Sequence, residues 1–214
     1  MSKKDSFKTV AHSAQTLMIE KKSKFIASVK PVDNEQAALD FLARVRSKYS
    51  DATHNVYAYV IDENNIFRYS DDGEPSGTAG MPVLDTIRKA GLVDVIVVVT
   101  RYFGGTLLGT GGLVHAYGAS AKSGLDEAGR IVRTKCDIVA VTADYTLVGK
   151  LQYMFAERGY SLEDTIYADN VVFKAVCPLG TTERFIQEVT ELTGARAVCE
   201  VCDTKYVDME DCEQ

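Results

Sequence analysis

The sequence predicts an α+β protein of two domains, on three observations. Short runs of alternating apolar residues, the two-residue period of strands, are interleaved with segments repeating every three to four residues, the period of helices. After Arg130 the pattern starts afresh and reads strand–helix–strand–strand–helix–strand, the ferredoxin-like βαββαβ order. Charge changes at the same place. Residues 1–134 hold 17 Lys and Arg against 15 Asp and Glu, net +2, whereas residues 135–214 hold 7 against 15, net −8. The boundary is expected near residues 133–136, giving domains 1–134 and 135–214 without a long linker.

Each element has a local reason. Thr16–Glu20 and Ser23–Val32 read as strands around the turn Lys21-Lys22, with Phe25, Ala27 and Val29 alternating against Lys24, Ser28 and Lys30. Asp33 followed by Gln36 reads as a helix N-cap with its reciprocal partner, opening a helix over Asn34–Tyr49. Asn55–Ile61 and Ile66–Ser70 form a hairpin signal across Asp62–Asn65. Asp71–Gly80, DDGEPSGTAG, is a loop, and a short helix follows near Met81–Ala90. Val93–Thr100 is nearly continuously β-branched, as in a strand covered on both faces. A helix is expected from Leu113 to about Ala128, closed by Gly129. In the second half Asp137–Tyr145, Tyr160–Tyr167, Val171–Cys177 and Arg196–Val207 are strands. Helices Thr146–Arg158 and Thr181–Thr193 stop at Gly159 and Gly194. The acidic end, Asp208–Gln214, is expected to fray.

Composition excludes several classes. With 46% hydrophobic and 25% charged residues the chain is an ordinary globular protein. No apolar run reaches the roughly 20 residues of a membrane span. The start, MSKKDSFKTVAH, has the charge of a signal peptide but not its apolar core. The expectation is a cytoplasmic protein with no membrane partner. Five cysteines, Cys136, Cys177, Cys199, Cys202 and Cys212, make an odd count that does not suggest a disulfide framework. Cys199 and Cys202 form a CxxC, but on a strand residues i and i+3 face opposite ways, so ordinary half-buried thiols are expected. The net charge of −6 rules out a uniformly basic nucleic-acid coat.

Four clusters carry candidate chemistry. Arg101, placed just past the β-branched strand, would meet a phosphate while Tyr102 and Phe103 stack on unpaired bases, and Gly104 and Gly105 would let backbone approach a ligand. The competing reading packs both rings on the core and pairs Arg101 with Asp71, Asp72 or Glu74. Gly109, Thr110, Gly111 and Gly112 precede a helix and offer N–H groups to an anion, although the lysine of a phosphate loop is missing; otherwise they form a tight turn. Asp71, Asp72 and Glu74 could hold a metal or act as acid and base, with His54 or His115 joining them, or form a solvated turn in which Asp71 bonds its own backbone. Lys21, Lys22 and Lys24 would touch phosphates, or keep a sheet edge soluble. No nucleophile–base constellation emerges, so no catalytic residue, metal ligand or cofactor is assigned.

DDGEPSGTAG, a β-branched strand, then RYFGGTLLGTGGL over Arg101–Leu113 and Ala116-Tyr117 resemble the signature of the IMPACT family, in its bacterial YigZ-type two-domain form, over roughly residues 18–125. The resemblance implies a left-handed βαβ first domain, shared with a ribosomal small-subunit protein and with domain four of elongation factor G. It implies a ferredoxin-like second domain similar to the last domain of that factor. It also implies a link to translation, since eukaryotic relatives are translational regulators that bind protein partners through an additional N-terminal module, which this chain is expected to lack. The leading expectation is a non-enzymatic, translation-associated binding protein. Its first domain would contact RNA or the ribosome, and its acidic second domain would orient it or bind a protein. Two alternatives stay open: a small-molecule enzyme using the Gly109–Gly112 turn for a phosphate, and a protein-binding regulator without nucleic acid.

Overall fold

In the computed structural model, which describes residues 3–210, a five-stranded antiparallel sheet is built around β6 (Val95–Tyr102). Its strands are β2 (Ala14–Glu20), β3 (Ser23–Pro31), β4 (His54–Ile61) and β5 (Ile66–Ser70), in the order β2-β3-β6-β4-β5. Three helices cover it, α1 (Glu35–Lys48), α2 (Gly80–Lys89) and α3 (Gly109–Glu127). The alternation of β6 decides which face meets which helix. Val95, Val97 and Val99 join Phe25, Ala27 and Val29 of β3 under α2 and α3, which contribute Val83, Leu84, Ile87, Tyr117, Ala121 and Leu125. Ile96 and Val98 face the other way, onto Ala38, Leu42 and Val45 of α1. All five β6 residues are fully buried, as expected of a strand covered on both faces.

These elements belong to one of two units, residues 3–133 with 208–210; the other is Thr134–Val207. The second unit takes most of β7 (Arg130–Ala143), then α4 (Val148–Arg158), β8 (Ser161–Tyr167), β9 (Val171–Pro178), α5 (Thr182–Thr193) and most of β10 (Val198–Glu210). Strand β10 pairs β7, β7 pairs β9 and β9 pairs β8. Numbered within the unit, that order is 4-1-3-2, the ferredoxin-like sheet. Its core joins Val139, Val141 and Phe173 to Leu151, Phe155, Phe185 and Val189 of the helices. Gly129, Gly159 and Gly194, which follow α3, α4 and α5, all take positive φ, as the helix-stop reading requires. The fold is α+β, with two antiparallel sheets and five helices among the described residues.

Three local expectations are corrected and one strand is added. The cap of α1 is Asn34, not Asp33: Asn34 Oδ1 accepts from Ala37 N at 2.9 Å, and Gln36 instead donates to Asp40. Asn34→Ala is expected to lower stability by about 1 kcal/mol, with Asp33→Ala near neutral, in urea denaturation. The segment around MSKKDSFKTVAH supplies β1 (Ser6–Val10), with Phe7 and Val10 buried and Val93 N donating to Lys8 O at 2.9 Å. Residues 208–210 continue β10 instead of fraying; residues 211–214, with Cys212, lie outside the described residues. Strand β6 runs two residues past Thr100 and α3 begins at Gly109 instead of Leu113, and both shifts relocate candidate site residues.

The cysteines follow the strand argument. Cys199 packs against the second unit's core, while Cys202 is exposed and donates to Ile138 O at 3.2 Å. Burial pushes the Cys177 thiol up to about 12.

Candidate functional site

The two extra residues of β6 turn Arg101 inward. Residue 101 has the parity of Val97 and Val99, so its side chain points beneath α3, not into solvent. There Arg101 is 5% exposed, and its Nη1 donates to Glu74 Oε1 at 2.5 Å. Its guanidinium lies 5.4 Å from the Phe25 ring and 5.7 Å from Phe103. The phosphate-facing placement of Arg101 is thereby corrected to the competing one, an ion pair with the acidic loop. Tyr102 points to the opposite face and donates to Asp51 Oδ1 at 2.8 Å, and that hydrogen bond holds its hydroxyl protonated above the usual tyrosine range.

The acidic loop is a turn in which Asp71 bonds the loop's own backbone, as one of the two readings had it, but it is not solvated throughout, because Glu74 is buried. Asp71 accepts from Gly77 N, Ala79 N and Gly80 N at 2.8–3.0 Å, placing its charge on the N-terminus of α2. That approach needs Gly80, where a Cβ would sit 2.7 Å from the Ser70 backbone. Asp72 accepts from Asn55 N at 2.7 Å and from Arg46 at 2.8 Å. Glu74 alone turns into the interior, where Oε1 accepts from both Arg101 and the Tyr117 hydroxyl, the latter at 2.8 Å. Burial and then the Glu74 charge push the Tyr117 hydroxyl far up, so it stays a donor. His54 completes the group. Its Nδ1 donates to the Asp72 carbonyl at 2.7 Å, which directs Nε2 toward Glu74 Oε1 at 3.7 Å. Among the described residues no group of three or more His, Cys, Asp and Glu could hold a metal.

Gly104 is not a point of ligand approach either. A Cβ there would lie 2.1 Å from the Lys22 carbonyl carbon, and Gly104 N donates to Ser23 Oγ at 3.1 Å. The loop after β6 is therefore seated on the β2–β3 hairpin, joining two separately predicted clusters into one tip. Lys21, Lys22 and Lys24 are exposed on the hairpin, and Phe103, 47% exposed, and Leu107, 83% exposed, on the loop seated against it. Gly105 is exposed, with φ +81 and nothing near it. Lys21 and Lys22 are both left-handed, φ 43 and 69, in a two-residue turn that ordinarily selects Asn-Gly.

Gly109–Gly112 open α3 and do not precede it, although Gly109 keeps the positive φ of a turn residue, +73. The N-cap position, Leu108, supplies no side-chain cap, and no acidic residue lies in the first turn, so the leading N–H groups of α3 take no side-chain cap. Gly109 and Thr110 of this turn, with His54, Glu74, Arg101 and Phe103, border a cavity of about 440 Å³. Sequence reasoning missed Tyr117 as part of this group. The signal was a tyrosine on the buried stripe of α3, whose hydroxyl must find a partner in the core.

The chain's first half, residues 21–125, matches the Impact N-terminal domain, and residues 141–196 match a domain of unknown function, DUF1949. It is 39% identical to IMPACT family member YvyE of Bacillus subtilis over 204 residues, 95% of this chain and 94% of that one. It is 31% identical to IMPACT family member YigZ of Escherichia coli over 176 residues, 81% of this chain and 86% of that one. Protein IMPACT of Rattus norvegicus is 35% identical over 112 residues, 50% of this chain but 34% of the rat protein. A crystal structure described as a hypothetical protein superposes with a TM-score of 0.60 at 28% identity, covering 94% of this chain and 98% of that one. With both domains matched in order and a relative of this identity along nearly its whole length, the chain belongs to the IMPACT family, in its bacterial two-domain form.

Proposed function

We propose that this protein is a non-enzymatic, translation-associated binding protein of the cytoplasm whose first unit contacts RNA, on the ribosome, through the tip formed by the β2–β3 hairpin and the loop after β6. The link to translation rests on the family. The contact rests on one observation: Gly104 lies against the Lys22 and Ser23 backbone, so the loop that carries the exposed Phe103 and Leu107 emerges next to the lysine turn, offering cations and a stacking ring at one tip. The strained backbone of the two lysines supports the same reading, since left-handed lysines cost stability and are retained where they serve something else. The second unit, rich in carboxylates, is repelled by phosphate and is assigned to a protein partner. No helix among the described residues is long and apolar enough to cross a membrane.

The test is co-sedimentation with bacterial ribosomes. Wild type is expected to pellet with ribosomes at low salt, and the double variant Lys21→Gln with Lys22→Gln to stay in the supernatant while keeping its melting temperature. Equal pelleting of both would remove the tip from the contact. A sharper variant exploits the strain. Lys21→Asn with Lys22→Gly is expected to raise stability by about 1 kcal/mol or more while weakening ribosome binding. A merely structural turn would gain stability with no loss of binding.

A further inference from the structure

The cavity beside the tip has features that a surface for bulk phosphate contact does not need. It brings together charged groups that are more than nine-tenths buried. The Arg101 side chain is 6% exposed and its Nε has no hydrogen-bond partner, and the Glu74 side chain is 4% exposed. Glu74 Oε1 carries the bonds from Arg101 and Tyr117, whereas no described donor reaches Oε2. Burying such a pair is costly compared with an apolar core, so its place in a cavity wall points to a ligand. Gly109 and Thr110, which open the uncapped first turn of α3, border the same space, and the N–H groups and dipole of that turn favour an anion. Phe103, Leu107, Leu108, Leu113 and Pro75 supply apolar walls. At about 440 Å³ the volume falls within the range of small-ligand pockets.

The occupant must therefore carry an oxyanion, a flat or apolar body and a hydrogen-bond donor. We propose that this cavity binds one nucleotide unit. Its phosphate meets the N–H groups at Gly109 and Thr110, its base lies against Phe103, and a sugar hydroxyl or base amine donates to Glu74 Oε2, while Arg101 holds Glu74 in place. This rests on the RNA-facing reading of the tip and deepens it, because an unstacked or terminal nucleotide would enter beside the lysine turn. The shared chemistry admits two sources, a free nucleoside monophosphate or the phosphorylated end of an RNA chain.

The test uses the full chain in calorimetric titrations with the four nucleoside monophosphates, with inorganic phosphate, and with a short oligoribonucleotide carrying or lacking a 5′-phosphate. Saturable binding of at least one nucleotide is expected, about tenfold or more tighter than inorganic phosphate, since a stacked base contributes that much. Phe103→Ala should lose about tenfold or more of that affinity. Thr110→Asp places a carboxylate in the first turn of α3, which suits the helix dipole and should keep the melting temperature while abolishing nucleotide binding. Tighter binding of the 5′-phosphorylated oligonucleotide than of the mononucleotide assigns the site to an RNA end, and equal binding assigns it to the free nucleotide. The proposal is overturned if inorganic phosphate binds as tightly as the nucleotides, if Phe103→Ala changes nothing, or if no nucleotide binds. Ribosome co-sedimentation run in parallel separates the two readings. Pelleting without nucleotide binding overturns only the cavity, and nucleotide binding without pelleting overturns only the ribosome contact.

Discussion

Glu74→Ala is expected to destabilise the first unit by about 3–5 kcal/mol, because it leaves the Arg101 guanidinium buried without its counter-charge. Against a total stability of about 5–15 kcal/mol, that removes a large share and lowers the urea midpoint accordingly. Arg101→Ala should cost a similar amount, stranding the Glu74 carboxylate beside Tyr117. Arg101→Ala is therefore not a clean probe of any surface contact. The double change Glu74→Leu with Arg101→Met removes both charges, and its stability should recover most of the loss. If each single change cost less than about 1 kcal/mol, the buried pair would not exist in solution.

Gly104→Ala is expected to have the largest combined effect on structure and binding. Its Cβ would stand 2.1 Å from the Lys22 carbonyl carbon and 2.4 Å from Ser23 N, backbone atoms that cannot rotate away. Either the loop after β6 lifts from the hairpin or the hairpin bends, costing about 1–3 kcal/mol. Ribosome affinity should fall at least about tenfold because Phe103 and the lysine turn part company. Gly105→Ala is the control. Nothing lies within 4 Å of its Cβ, but φ is +81, so only a backbone cost of about 1 kcal/mol is expected, with binding nearly intact. Chemical-shift mapping of the Lys21 and Lys22 amides in the two variants checks this, with large shifts expected from the first alone.

Much of the architecture was legible because period and punctuation are local. The β-branched run of β6 announced a strand buried on both faces, and Gly129, Gly159 and Gly194 marked three helix ends. Strand β1 was missed because MSKKDSFKTVAH offers only a few apolar residues, Phe7 and Val10 among them, among polar ones, and its burial depends on partners as distant as Val93 and Asp94. The site was less legible for the same physical reason. Ending β6 at Thr100 left Arg101 free to face solvent, and two more strand residues reverse that by parity alone. Glu74 sits in an acidic, glycine-rich run that reads as solvated. Its burial is decided by Arg101, 27 residues away, and Tyr117, 43 residues away. The convergence of the lysine turn with Phe103 depended on one glycine whose contact lies 82 positions earlier in the chain, at Lys22.

The tip's role in RNA contact is tested most directly by the salt dependence of ribosome binding, measured for wild type and for Lys21→Gln with Lys22→Gln between about 50 and 200 mM salt. If both lysines meet phosphates, the slope of log K against log salt should be shallower in the variant by roughly 1.4–1.8, two contacts' worth of released counterions, with weaker binding at every salt concentration. Identical slopes and affinities would mean that the lysine turn meets no phosphate, and would contradict the account.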